Sequence, residues 1–526
     1  MVRGDLEWGT IPGLLDSAAE RFGAREAVVD GDKRITFEHL RAAARHAARA
    51  SIAMGVEAGD RVAIWAPNIH EWIVAALGTL YAGAVLVPIN TRFKGREAGF
   101  VLQKSRAKVL FTVRGFLDID YPRLLREADV EAPPMVLLRG EGDTDWKAFA
   151  NRGEEVDEAA VDKRRDAIEP GDLSDIIFTS GTTGQPKGVM TTHAQSLRVF
   201  EVWSDIVGLR EGDRYLIVNP FFHTFGYKAG ILACLMRGAT IVPHAVFDPA
   251  QVMSRIGEEK ITVLPGPPTL YQSILNDPAR ATLDLSSLRL AVTGAAVVPV
   301  ELIKRMRSDL ALDTILTAYG LTESTGTATM CRPDDDAETI ANTSGCAIPD
   351  TEVKVVDDDG VEVAPGEPGE IVVKGYNVTQ GYFEEPDQTA ATIVDGWLHT
   401  GDIGVMDARG YVKITDRKKD MFIVGGFNAY PAEIENELLR HEDIAQVAVV
   451  GAPDDRLGEV GVAFVVPKPG HAIDPNLITS WAKSQLANYK VPRMVVPTDA
   501  LPMNASGKVL KFELRERARA LTEGKK

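Results

Sequence analysis

Ten consecutive residues, Thr179-Ser180-Gly181-Thr182-Thr183-Gly184-Gln185-Pro186-Lys187-Gly188, gather hydroxyls, glycines and a lysine in one loop. They follow the apolar run Asp175–Phe178, which reads as a buried strand. Backbone N–H groups of such a loop can wrap a polyphosphate, its hydroxyls can add hydrogen bonds, and the lysine adds charge. A flexible surface turn is the competing reading. The hydroxyls, glycines and lysine placed directly after a strand weigh against it. The Walker A spacing G-x-x-x-x-G-K-S/T is not met, which excludes a P-loop nucleotidase.

Further along, Tyr319-Gly320-Leu321-Thr322-Glu323 offers a carboxylate suited to a hard cation. Trp397-Leu398-His399-Thr400-Gly401-Asp402 ends on a second acid, and Pro502-Met503-Asn504-Ala505-Ser506-Gly507-Lys508 ends on a cation. A lysine there could lie between two anionic groups and draw them together. Taken singly, Gly507-Lys508 reads as a solvated turn and Glu323 as a helix-cap carboxylate.

In this order the segments resemble the signatures of the adenylate-forming superfamily, which holds acyl-CoA synthetases, peptide-synthetase adenylation domains and beetle luciferases. The resemblance covers about residues 10–515. It implies ATP and Mg²⁺, with coenzyme A as co-substrate. It implies that Thr179, Ser180, Gly181, Thr182, Thr183, Gly184 and Lys187 hold the triphosphate, and that Gly294, Ala295 and Ala296 line the adenine pocket. By the same resemblance Tyr319, beside Gly320, packs on adenine, Thr322 touches phosphate and Glu323 helps hold the metal. Asp402 would hold the ribose hydroxyls, Arg417 would contact the ribose, and Lys508 would be the catalytic lysine. Lys419 falls at the hinge about which the family turns its small domain. Gly425, Gly426 and Phe427 resemble the loop lining the pantetheine tunnel, with a C-cap or hairpin turn as the open alternative for the two glycines.

The acid itself is addressed by Pro220-Phe221-Phe222-His223-Thr224-Phe225-Gly226-Tyr227, where the family builds its acyl pocket. Phe222, Gly226 and Tyr227 would line it and His223 would gate the carboxylate. Gly266, Pro267, Thr293 and Leu321 are expected as further walls. His193, His244 and His399 read as satisfied polar groups. The wording of these segments is most similar to the branch that activates the indanedione propanoate fragment of sterols. That implies a bulky alicyclic or polycyclic propanoate, steroid- or terpenoid-derived, with a medium- or long-chain fatty acid as the competing substrate. An adenylating enzyme that passes acyl-AMP to a separate carrier is a second alternative. A non-catalytic scaffold would have lost Lys508, Glu323 or Asp402, and all three are present.

The elements that must position these residues alternate. Arg61–Pro67, Ala84–Ile89, Tyr215–Val218, Ala239–Pro243, Ile261–Leu264, Leu288–Thr293 and Thr314–Ala318 read as strands; His70–Ala82 and Pro299–Leu310 read as helices. Such alternation predicts an α/β fold of doubly wound, mixed or parallel sheets, with ligands at the carboxyl ends of strands. Val353–Val356, Val361–Val363 and Glu370–Lys374, separated by Asp/Gly and Pro/Gly turns, predict β-hairpins in a β-barrel-like subdomain over about 340–416. The expected division is a large domain, 1–416, and a small mobile α+β lid, 417–526, with the charged run Asp416–Asp420 as linker. In the lid Pro431–Arg440 reads as a helix with proline in its first turn, and Val447–Gly451 and Val462–Val466 read as strands.

The whole chain, 526 residues with 45% hydrophobic and 25% charged, exceeds what one core usually serves. A net charge of −17 disfavours a nucleic-acid partner. Cys234, Cys331 and Cys346 form no C-x-x-C pair, which fits a reducing, cytoplasmic setting without disulfides or zinc. No membrane span and no signal peptide are expected. A homodimer is compatible with the sequence.

Overall fold

The computed structural model describes residues 3–142, 144–179, 186–294, 298–417, 420–424, 427–454, 457–486, 488–503 and 509–523. The chain is mixed α/β and divides into two compact units. The first comprises Met1–Gly294, Val298–Glu352 and Val373–Leu398; the second includes Val353–Val372 and His399–Lys526. Among the described residues no helix is long and apolar enough to cross a membrane.

In the first unit, a seven-stranded sheet has Arg61–Trp65 and Val85–Pro88 at its centre, both pairing in parallel, with Leu173–Thr179 beside them. These strands are near-continuous apolar runs, as parallel strands buried on both faces must be. Lys187–Thr192 turns back antiparallel on Leu173–Thr179, pairing Thr179 with Lys187 and Asp175 with Thr191. The helix His70–Tyr81 is buried from Glu71 onward, apolar all round, and touches strands of this sheet as well as Glu26–Asp30 of the next. Two four-stranded sheets carry eight further strands. Arg214–Ile217 lies beside Thr240–Pro243 in one, and Leu290–Gly294 lies beside Thr314–Tyr319 in the other.

The run Ile261–Leu264, expected as a strand, contributes only Val263, which bridges Tyr215 on one side and Leu290 on the other. Pro265, Pro267 and Pro268 follow at once and remove the donors a longer ladder would need. That single residue still joins the two sheets. The carboxyl ends of Arg214–Ile217, Thr240–Pro243, Leu290–Gly294 and Thr314–Tyr319 therefore stand in one row.

In the second unit, Ile444–Asp454 and Gly458–Pro467 form a long antiparallel hairpin, extended by Phe422–Val424 and by the parallel strand Met494–Pro497. Alternate residues face opposite ways. Val447, Val449, Ala463 and Val465 pack with Ile434, Leu438, Ile478 and Ala482 from two helices. Ala448, Val450, Val462 and Phe464 pack with Leu514 and Ala518 from the last helix. The hairpin expected around 353–363 is reduced to one bridge, Val356 to Glu362, with the Asp357 N–H donating to the Val361 carbonyl at 2.9 Å. Asp402 and Arg417 lie on Trp397–Met406 and Val412–Arg417, which pair antiparallel within a five-stranded sheet.

Candidate active site

Thr179 closes one strand and Lys187 opens the next, and the two residues face each other across the antiparallel ladder. Ser180, Gly181, Thr182, Thr183 and Gly184 lie outside the described residues. At the hairpin base Gly188 has no room for a Cβ, which would stand 2.7 Å from Ile176 and 3.1 Å from Phe178. The outer edge of Lys187–Thr192 is covered by residues 380–383. The Phe383 N–H donates to the Gly188 carbonyl at 2.7 Å, and the Met190 N–H to that of Gly381 at 3.0 Å. This pairing sets Tyr382 opposite Val189 and next to Lys187, whose ammonium stands 5.1 Å from the Tyr382 ring centre. Lys187 Nζ also donates to Gln388 Oε1 at 2.7 Å.

The Tyr382 hydroxyl donates to Glu323 Oε1 at 2.8 Å, and the Thr379 N–H donates to the Glu323 carbonyl at 2.8 Å. Burial, reinforced by the charge of Glu323, raises the Tyr382 pKa, so the phenol keeps its proton and remains a donor. Glu323 sits in a single 3₁₀ turn, Thr322–Ser324, after the strand Thr314–Tyr319. Ser324 Oγ caps that turn through Leu321. Asn377, fully buried, accepts at its carbonyl from Thr325 Oγ1 at 2.7 Å and donates to Thr327 at 2.9 Å. At Gly320 a Cβ would lie 2.3 Å from the Gly326 carbonyl oxygen, so the turn closes only over glycine. Thr322 and Tyr319 are buried beside it. Gly294 ends the neighbouring strand opposite Ala318 at φ 156°, while Ala295 and Ala296 lie outside the described residues.

These placements bring Lys187, Tyr382, Glu323, Thr322 and Tyr319 to one end of the first unit. Glu323 is partly exposed, with one oxygen fixed by Tyr382. A single held carboxylate suits Mg²⁺, which takes one or two protein oxygens and completes its shell with water and substrate phosphates. Among the described residues, one cluster of metal-type ligands joins Asp30, His70 and Glu71. The Arg139 guanidinium already enters it, 2.6 Å from Asp30 and 2.9 Å from Glu71. Burial alone would raise the Asp30 pKa, but His70 and Arg139 outweigh it and hold the carboxyl at about 2. The protein thus supplies its own cation there.

On the same row of strand ends, Asn68 pins the segment leading to His223. Asn68 donates to the Ile217 and Asn219 carbonyls at 3.1 and 2.9 Å, and its Oδ1 accepts from the Phe221 N–H at 2.8 Å. A Cβ on Gly226 would stand 2.1 Å from the Pro220 carbonyl oxygen, so the chain doubles back on itself there. His223 caps the short helix that follows, its Nδ1 accepting from the Phe225 N–H at 3.3 Å, which leaves Nε2 to carry the proton of the neutral ring. The residue keeps an exposed surface, yet the protein packed around it lowers the ring's pKa through burial. Phe222 is buried beside it. Tyr227 packs edge-on against Trp72, ring centres 5.8 Å apart. Gly266 joins the row through its N–H to the Val292 carbonyl at 3.0 Å, with Pro267 next to it and Thr293 buried one residue on from Val292. Leu321 is partly buried at the entry to the Glu323 turn.

In the second unit Asp402 and Arg417 are directly paired residues of the antiparallel ladder. Thr400 Oγ1 accepts from the Asp402 N–H at 3.1 Å and donates to the Ile371 carbonyl at 2.6 Å, while the Gly401 N–H donates to Glu370 Oε1 at 3.0 Å. A bulge follows at Ile403–Gly404, the kind of irregularity that re-aims a side chain. Phe427 begins the strand Phe427–Ala429. Gly425, Gly426, Lys419 and Lys508 lie outside the described residues.

Tyr382, Asn377, Gln388 and Asn68 carried no motif in the sequence. A lysine inside the apolar run around Lys228 was the one signal that could have flagged an internal polar contact.

The profile of the AMP-binding enzyme family matches residues 15–383, and that of the AMP-binding enzyme C-terminal domain matches 433–508. A (7a-methyl-1,5-dioxo-octahydro-1H-inden-4-yl)propanoyl:CoA ligase of Rhodococcus jostii (strain RHA1) is 50% identical over 517 residues, covering 96% of this chain and 98% of that protein. A ligase of the same description from Mycobacterium tuberculosis (strain ATCC 25618 / H37Rv) is 50% identical over 510 residues, at 96% and 98% coverage. Among solved structures, an anthranilate CoA ligase in complex with anthranoyl-AMP superposes with a TM-score of 0.87 at 27% identity, covering 98% of both chains.

Proposed function

Because this chain belongs to the AMP-binding enzyme family, we propose that it is a two-step acid–CoA ligase for a bulky alicyclic or polycyclic propanoate. The reaction class is that of an AMP-forming acyl-CoA ligase: an acid becomes an acyl-adenylate and then a thioester, with ATP, Mg²⁺ and coenzyme A. The substrate class rests on one observation, the 50% identity over 96% of the chain to ligases named for a dioxo-octahydroindenyl propanoate.

In this reading the Thr179–Gly188 hairpin loop cradles the triphosphate, with Lys187 at its end and Thr322 on a phosphate. Mg²⁺ supplies charge neutralisation of the phosphates when bound, and Glu323, oriented by Tyr382, is the carboxylate that would hold it. Tyr319 and Gly294 bound the adenine site. Asp402 and Arg417, paired across their ladder, hold the ribose. His223 gates the acid carboxylate, which displaces pyrophosphate with help from Lys508. A turn of the small domain about Lys419 then admits the thiol of coenzyme A along Gly425, Gly426 and Phe427.

The test is ATP–pyrophosphate exchange over linear fatty acids, aryl acids and polycyclic propanoates, followed by coenzyme A and thioester analysis. Exchange and thioester with a polycyclic propanoate are expected. Activity with linear acids only would overturn the substrate class. Exchange without thioester would move the second step to another partner.

A further inference from the structure

Lys228 and Asp175 form an ion pair inside the first unit, Nζ to Oδ1 at 3.0 Å, with side chains 1% and 0% exposed. Asp175 belongs to Leu173–Thr179, the strand that delivers the chain into the phosphate-loop hairpin. Its second oxygen accepts from Ser174 Oγ at 2.7 Å. Lys228 belongs to Tyr227–Leu232, a π-helical stretch that starts four residues after His223. Stretches of this kind are rare and gather at functional sites. The Tyr227 N–H that opens the stretch donates to the His223 carbonyl at 3.0 Å, so the placement of Lys228 is transmitted to His223 within one turn.

A fully buried pair is poor value as a stabiliser, since desolvating two charges offsets most of their attraction and an apolar pair often replaces it without loss. What such a pair supplies is a fixed separation and register between the two elements it joins. Here those elements are the strand entering the ATP loop and the helix start carrying His223, the two parts that must agree on where a carboxylate meets an α-phosphate.

We propose that Lys228–Asp175 is a positioning pair for adenylation, a strut that sets His223 against the strand Leu173–Thr179. It rests on the assignment of His223 to the acid carboxylate made under "Proposed function". Neither residue touches substrate in this role. Attack on phosphorus tolerates little misplacement, and an error of about 1 Å costs about 100-fold in rate.

The experiment compares the wild-type chain with D175V/K228M, the exchanged pair D175K/K228D, and H223A, by thermal melting and by pyrophosphate exchange with an accepted acid. D175V/K228M removes both charges together and so leaves neither buried alone. With its melting temperature near wild type, its kcat is expected to fall about 10- to 100-fold while KM for ATP stays within about 3-fold. A folded double variant with wild-type kcat overturns the proposal, as does an equal rise in KM for ATP, which would mean that only the phosphate loop was damaged. If D175V/K228M does not fold, D175K/K228D decides. The single variants D175K and K228D are measured beside it: a recovered melting temperature with kcat nearer wild type than in either of them supports the strut, and recovered melting with kcat as low as theirs overturns it. H223A separates the two readings. An unaffected H223A removes the gate assignment and the strut with it, whereas an affected H223A beside a fully active D175V/K228M removes the strut alone.

Discussion

Tyr382 donates its hydroxyl proton to Glu323 across 59 residues of sequence, and the bond exists because residues 380–383 pair along the edge of Lys187–Thr192. The carboxylate proposed for Mg²⁺ is thus aimed by the same edge that carries Lys187, the lysine proposed for the phosphates. A hydrogen bond to a charged group contributes about 1.5–3 kcal/mol. Y382F should therefore raise the Mg²⁺ concentration for half-maximal adenylation about 10-fold, with E323Q the more severe loss. An unchanged Mg²⁺ titration of Y382F would refute the orienting role.

Asp402 and Arg417 are ladder partners, so their contributions to ATP binding should not add. D402N and R417A should each raise KM for ATP about 10- to 100-fold, and the double variant should fall short of the product by at least about 0.5 kcal/mol. Steady-state KM values on the four proteins close the cycle, and strict additivity would argue that the two act on separate parts of the nucleotide.

Lys508 is expected to act on the first half-reaction only. K508A should lower adenylation about 100- to 1,000-fold, as removal of one transition-state charge contact does. Thioester formation from supplied acyl-adenylate should stay within a few-fold of wild type. Parallel loss of both half-reactions would contradict that division.

His193 gives the fold a pH dependence of defined sign. Burial, aided by Lys228 and opposed by Asp172, lowers its pKa to about 4, and its Nδ1 accepts from the Ile11 N–H at 3.2 Å. The unfolded chain takes up this proton near pH 6.5, so the stabilisation is complete above about 6.5 and is lost as pH falls toward about 4. At pH 5 the cost is about 2 kcal/mol. H193N keeps an acceptor without the titration, and its melting temperature should drop less than that of wild type between pH 7.5 and 5. Equal drops would assign the acid sensitivity elsewhere.

The contiguous parts of this molecule were legible. Arg61–Trp65, Val85–Pro88 and Thr314–Tyr319 announce themselves as apolar runs because parallel strands are buried on both faces. The Tyr319–Glu323 turn lies in one short segment, and Gly320 is fixed by a steric need that spacing already reflects. Ile261–Leu264 looked the same as the other strands, and the prolines after it cut it to one bridging residue. Tyr382, Asn377 and Asn68 were illegible for another reason. Each acts on a partner brought near only by sheet pairing, so no local pattern marks it. The partner of Lys228 was equally hidden, since it stands on a distant strand.

The cover that residues 380–383 lay over the edge of Lys187–Thr192 also bears on how the protein is made. During synthesis the hairpin leaves the ribosome almost two hundred residues before its cover, and until then it presents an unpaired strand edge of the kind that seeds association between chains. Any truncation, split-protein design or domain transplant that ends before Phe383 recreates that nascent state permanently. A fragment boundary placed after Phe383 carries the edge, its cover and the Glu323 partner together.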